Sequence, residues 1–153
     1  MTRPDDARPV LVSACLAGEP CRYDGRAAPH PAVLRLVAQG RAVPVCPELL
    51  GGLGVPREPA ELCADRIGGK AMCRAVCRSG RDVTAEFLAG AQGALEVCRA
   101  KGCQRAILKA RSPSCGSGRI YDGTFSGVLV PGDGVLAALL KENNIAVASE
   151  KDL

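Results

Sequence analysis

The chain of 153 residues has no tryptophan, two tyrosines, two phenylalanines and a single histidine. A core without aromatic bulk must be aliphatic, drawn from Leu, Val, Ala and Ile. No apolar run approaches the ~20 residues that span a bilayer, so no membrane helix is expected. Residues 1–9 are polar and carry two acids. They lack the apolar centre of a signal peptide and read as a flexible N-terminal segment. Neither G-x-x-x-x-G-K-S/T nor a G-x-G-x-x-G behind a strand is present, which leaves nucleotide-phosphate binding without support. No internal repeat and no low-complexity segment is visible. The net charge is +4, but the basic residues are scattered: Arg3, Arg8, Arg22, Arg26, Lys70, Arg74, Arg78 and Arg81 read as a solvated face rather than a nucleic-acid footprint. A small molecule is therefore the favoured partner, and no membrane partner is expected.

What the chain does have is 47% apolar residues, 24% charged residues and nine cysteines. The first two figures fit one globular domain, expected over residues 10–153. The cysteine count is high and odd. In the cytoplasm, the expected location, disulfides rarely persist, and clustered cysteines hold metal or do chemistry more often than they crosslink.

Short apolar runs alternate with helical periodicity, the pattern of an α/β fold with a mainly parallel, Rossmann-like sheet flanked by helices. Strands are predicted at 10–12, 42–45, 105–109 and 145–148, with a further short one at 127–130. Pro44 places the second at a sheet edge. Pro31 and Gly40 bound a first helix. A long helix is predicted over 83–101, with Asp82 as N-cap and Gly102 as stop. Its buried face is expected to hold Val83, Phe87, Leu88, Ala91, Leu95 and Cys98. A last helix over 135–140 ends at Asn143 or Asn144. Residues 51–69 and 116–134 are rich in glycine and read as loops.

Three cysteines stand a few residues behind predicted strands: Cys15, Cys46 and Cys115. In a parallel sheet, sites gather beyond the carboxyl ends of the strands, so these three can meet however far apart they lie in sequence. A thiol with pKa near 8.5 costs roughly 2 kcal/mol to ionise at neutral pH. Three adjacent thiolates would cost more than roughly 6, which a bound metal centre, worth about 10 or more, can supply. Thiolate-rich sites favour zinc or iron–sulfur clusters. The same spacing equally fits three thiols buried as small hydrophobes. Beside them stand Glu48, in Cys46-Pro47-Glu48, and Ser112, at the head of a hydroxyl- and glycine-rich loop whose backbone N–H groups can receive an anionic sulfur or an oxygen. A metal with an open position beside a carboxylate and a hydroxyl can polarise a bond and move a proton. Taken singly, Glu48 reads as a surface or capping acid and Ser112 as a turn residue.

The strings Val-Ser-Ala-Cys-Leu (12–16), Arg22-Tyr23-Asp24-Gly25, Val45-Cys46-Pro47-Glu48 with Gly51-Gly52, Ser112-Pro113-Ser114-Cys115-Gly116-Ser117-Gly118 and Ile120-Tyr121-Asp122-Gly123-Thr124-Phe125-Ser126-Gly127 resemble the short-chain thiouracil desulfidases, long known only as a domain of unknown function. The five motifs keep their order over almost the whole chain. The resemblance implies an oxygen-sensitive [4Fe-4S] cluster on Cys15, Cys46 and Cys115. It also implies that the fourth iron is open to the sulfur of a thiolated nucleobase, and that uracil forms from thiouracil with no net electron transfer. It implies Glu48 as the acid/base for the water that replaces sulfur, and Ser112 as an aid to proton transfer. A non-catalytic iron–sulfur or sulfur-carrier protein and a structural zinc domain are the rivals, and neither needs Glu48 or Ser112.

The family usually has an apolar residue where this chain has Cys21, so Cys21 is expected near Cys15 but not as a ligand. Cys73-x-x-x-Cys77 fits one face of a helical turn and, with Cys103, a second metal site; ordinary packing is the plainer reading. Cys63 matches no motif, and Cys98 belongs to the buried face of the long helix. Lys109 and Arg111 stand where they can balance cluster charge, contact substrate or simply face solvent. Tyr23 and Tyr121 can stack on a base or pack a turn. His30 reads as a helix-entry residue, and Asp24 and Asp122 as makers of Asp-Gly turns.

Overall fold

The computed structural model describes residues 8–67 and 70–153. Its elements in chain order are β1 (Val10–Ser13), α1 (Pro31–Ala38), β2 (Ala42–Val45), α2 (Pro47–Leu50), β3 (Ala60–Ile67), β4 (Lys70–Cys77), α3 (Thr84–Lys101), β5 (Arg105–Leu108), β6 (Arg119–Tyr121), β7 (Leu129–Pro131), α4 (Val135–Glu142) and β8 (Ala146–Ser149). Of the N-terminal segment expected to be flexible, residues 1–7 lie outside the described residues.

All four residues of β1 are buried, as a strand covered on both faces of a parallel sheet must be. The main sheet is parallel throughout, in the order β2-β1-β5-β8. One face packs Val10, Val12 and Ile107 against Val33 and Leu36 of α1. The other packs Leu11, Ala106 and Leu108 against Ala91, Ala94 and Leu95 of α3 and Leu136, Ala137 and Leu140 of α4. The alternation along β1 and β5 thus serves two helical layers at once. Pro44 sits in the edge strand β2, where its missing N–H faces no further strand. The strand order reverses between β1 and β5, a topological switch point that opens a crevice at the carboxyl ends.

Several sequence expectations shift. Only 51–59 behave as the predicted loop; from Ala60 the chain is extended, and β3 pairs antiparallel with β4. Alternating Ala60 and Leu62 carry that signal, but the surrounding glycines outweigh it in the sequence. Gly68 and Gly69, counted in the same loop, lie outside the described residues. Cys73 and Cys77 lie on β4, not on a helical turn. The 116–134 stretch holds two paired strands, β6 and β7. The long helix begins at Thr84, so Asp82 stands before its N-cap; its Oδ1 nevertheless accepts the Thr84 N–H at 2.9 Å. Leu88, expected inside, is 57% exposed. The position that turns inward is Gly90, because α2 lies against it. A Cβ on Gly90 would overlap the Pro47 carbonyl, and one on Gly51 the Glu86 carbonyl. The two helix backbones therefore touch, and α3 fixes the height of the Cys46 turn.

His30 caps α1, its Nδ1 accepting the Ala32 N–H at 3.2 Å, as a helix-entry residue should. Asp24 and Asp122 accept N–H groups two residues on, from Arg26 at 3.0 Å and Thr124 at 2.9 Å, as expected of Asp-Gly turns. Among the described residues no helix is long and apolar enough to cross a membrane.

Candidate active site

A cavity of about 730 Å³ opens at the carboxyl ends of β1, β2 and β5. Cys15, Cys46, Glu48, Ser112 and Cys115 all line it, so the structure brings together every site residue predicted from sequence. Each arrives by a different local device. Behind β1 the chain tightens into a 3-10 turn, Ala14–Ala17, that carries Cys15; Gly18 closes it in the left-handed region at φ 97°. Cys46 is the extended N-cap of α2, and Pro47 stiffens the first helical position. Glu48 follows in the first turn of α2, and the Cys46 thiol donates to its Oε2 at 3.7 Å.

Cys115 sits in a loop that folds on its own serine. Ser112 Oγ accepts the N–H groups of Ser114 and Cys115 at 3.2 and 3.1 Å, and Ser112 O accepts that of Gly116 at 2.8 Å. The Gly118 N–H goes to Asp133 Oδ1 at 2.8 Å. These N–H groups are satisfied within the protein, contrary to the expectation that they would receive a sulfur or oxygen. The Ser112 hydroxyl keeps its own proton to give. The loop is then clamped to α4: Val135 and Leu136 donate to Pro113 O and Ser114 O at 2.9 and 2.8 Å. A Cβ on Gly134 would overlap the Ser114 carbonyl.

Burial sets the charge state of the thiols. It pushes Cys15 up to about 11, with Lys109 and Arg22 pulling the other way. Cys46 is raised by burial and by the Glu48 carboxylate. Cys115 is raised well above the usual thiol range, again first by burial and next by Glu48. Without a cation to take them up, all three remain neutral thiols at neutral pH.

Sequence reasoning missed several residues. Ser13 ends β1, is 3% exposed and accepts the Lys109 N–H at 2.8 Å, and its hydroxyl partly offsets the burial that raises the Cys115 thiol. A hydroxyl closing an otherwise apolar buried strand was the available signal. Glu150, just past β8, pairs with Lys109 Nζ at 2.8 Å and accepts the Ala110 N–H at 2.6 Å; it holds that cation beside Cys15. Cys21, expected near Cys15, lines the same cavity, and its backbone carbonyl accepts from the Cys46 thiol at 3.8 Å. Arg57 donates to Cys21 O at 3.0 Å and fixes that turn. Cys77 also borders the cavity but packs with Phe87 and Ile120, whereas Cys103 packs with Cys98 in another apolar cluster. The second metal site is therefore not assembled. Among the described residues no three His, Cys, Asp or Glu side chains stand close enough to hold a single metal ion.

Every aromatic residue of the chain, Tyr23, Phe87, Tyr121 and Phe125, borders this one cavity. Arg22, Arg57, Arg78, Arg81, Lys109 and Arg111 add positive charge around it.

A parallel α/β sheet whose switch-point crevice is lined by thiols, a carboxylate and a hydroxyl defines a class: a Rossmann-like enzyme with a soft-metal-type donor set. The chain belongs to the 2-thiouracil desulfurase family, whose model matches residues 10–152, and it is an enzyme of the thiouracil desulfidase type. It is 47% identical over 148 residues to the uncharacterized protein YbbK of Bacillus subtilis (strain 168), covering 94% of this chain and 97% of that one. A solved structure of the [4Fe-4S]-dependent thiouracil desulfidase TudS superposes with a TM-score of 0.84 at 49% identity, covering 95% of this chain and 93% of that one.

Proposed function

We propose that this chain converts a thiolated pyrimidine base to its oxygen counterpart, thiouracil to uracil, using a [4Fe-4S] cluster held by Cys15, Cys46 and Cys115. The observation that carries the reading is the convergence of those cysteines, from the ends of three parallel strands, on one cavity with Glu48 and Ser112. The donor set fits the group. Buried thiols that stay protonated alone ionise when a metal centre takes them, and sulfur donors suit iron–sulfur clusters. A structural zinc site would close all four coordination positions and leave none for a substrate, and a sulfur carrier has no work for Glu48 or Ser112. The nine free cysteines fit the reducing cytoplasm, the proposed location.

When bound, the cluster supplies a Lewis-acidic iron with affinity for a soft sulfur. The chain's own residues do the rest. Glu48 stands beside Cys46 and accepts a proton from the water that attacks the thiocarbonyl carbon. Ser112, its oxygen engaged by two N–H groups, passes its remaining proton toward the ring and recovers one from water. The cations around the cavity offset the charge gathered there. In balance, thiocarbonyl plus water gives carbonyl plus hydrogen sulfide, with no electron gained or lost.

The test is anaerobic turnover by the reconstituted protein. Thiocarbonyl absorbance should fall as uracil and sulfide appear in equal amounts without any added reductant. A protein that carries iron and leaves thiouracil intact, or that consumes a reductant in step with product, contradicts the proposal.

A further inference from the structure

Phe125 has a backbone φ of 57°, a left-handed conformation that bulky residues rarely adopt. Glycine would adopt it without strain, yet the position holds a phenylalanine. The surroundings impose the conformation. Glu61 Oε1 accepts the N–H groups of Gly123 and Phe125 at 3.0 and 3.1 Å. Asp122 Oδ1 accepts that of Thr124 at 2.9 Å. Gly123 presses on β3 so closely that a Cβ there would overlap the Cys63 Cβ. The loop between β6 and β7 is thus fastened to the first hairpin, and the ring it carries borders the cavity. The Arg78 guanidinium lies over that ring, 5.5 Å from its centroid. An aromatic ring has two faces, and the cation takes one.

We infer that the other face of Phe125 is the stacking platform for the flat heterocyclic ring of the substrate, an assignment that rests on the desulfidase reading above. The remaining aromatics are less suited: Tyr121 belongs to the paired strand β6 and carries a hydroxyl that must itself be satisfied. Phe87 is 2% exposed and belongs to the core, whereas Tyr23 is 42% exposed, out at the rim. Phe125 is half-buried, has no polar tip to satisfy, and is held rigidly, so little rotamer freedom is lost when a ring settles on it. Stacking of a base on an aromatic side chain is worth about 1–3 kcal/mol, a factor of roughly 5–150 in binding.

The experiment compares wild type, Phe125→Leu and Phe125→Tyr as reconstituted full-length proteins, with thiouracil as substrate and uracil as a binding probe in calorimetry. Phe125→Leu should raise KM and the uracil Kd by about ten-fold or more with kcat little changed. Phe125→Tyr, which keeps the ring, should stay near wild type. Iron content and Tm should match in all three, which a merely structural role would not give. An unaltered KM and Kd in Phe125→Leu, or a loss of kcat that accompanies a lower Tm, overturns the inference while leaving the desulfidase reading standing. A wild-type protein that neither consumes thiouracil nor binds uracil overturns both.

Discussion

The wall of the cavity that comes from the parallel sheet and the wall that comes from the two hairpins carry different chemistry. The sheet side brings thiols and an acid, Cys15, Cys46, Cys115 and Glu48, all set within a few residues of strand ends that share one core. The hairpin side brings a carboxylate, a cation and rings: Glu61, Arg78, Tyr121 and Phe125. Strand ends of a packed parallel sheet are rigid in their mutual spacing, which is what three ligands of one cofactor require. Turns between hairpin strands can present flat and charged side chains at varied angles, which is what recognition of a small ring requires. On the proposed reading, the two walls divide the labour between holding the cofactor and holding the substrate.

Substitutions that strike one wall should leave the other's property intact. The largest expected effect is from Glu48→Gln, which removes the proton acceptor but no ligand. It should lower kcat by about 10²-fold or more with unchanged iron content; retained turnover would remove Glu48 from the reaction. Gly90→Ala should come next. Its methyl group meets the Pro47 carbonyl and must push α2 away from α3, an overpacking cost of about 1–3 kcal/mol. For a chain of this size Tm should fall roughly 3–10 °C, and iron occupancy should fall with it because Cys46 moves. A stable, fully loaded Gly90→Ala protein would show that α3 does not set the Cys46 turn.

The smallest effect belongs to Asp82→Asn, on the hairpin side. The Thr84 N–H and hydroxyl and the Arg74 guanidinium hold the Asp82 carboxyl at about 2. Its folded value lies below the ordinary carboxylate value near 4, so its contribution is complete above about pH 4 and is lost as pH falls toward 2. Acid unfolding of Asp82→Asn, followed by circular dichroism, should be less steep in that window, with iron content at neutral pH unaltered. An identical acid limb in both proteins would show that Asp82 is not held down in the native state.

Much of the sheet wall was legible from sequence, and little of the hairpin wall. Val10, Leu11 and Val12 form an apolar run because a central parallel strand is buried on both faces, and Pro44 announces an edge because it has no N–H to give. Cys15, Cys46 and Cys115 could be placed together because topology, not sequence distance, governs strand ends. The β3–β4 hairpin stayed hidden because Gly and Pro crowd the approach to Ala60 and its apolar alternation is short. Leu88 was expected inside and Gly90 was overlooked because helical periodicity names a face but cannot foresee a second backbone pressed against it. Ser13, Glu150 and Phe125 act through contacts with residues many positions away, such as Ser13 with Lys109, and no local pattern records those.

Iron per chain after anaerobic reconstitution tests the central claim most directly, measured for wild type and for single serine variants of Cys15, Cys46, Cys115 and Cys21. About four irons per wild-type chain are predicted, as a [4Fe-4S] cluster requires. Occupancy should collapse for each of the first three variants and hold for Cys21→Ser. A wild-type chain that takes up a single zinc instead of iron, or full iron in any of the first three variants, would contradict the account.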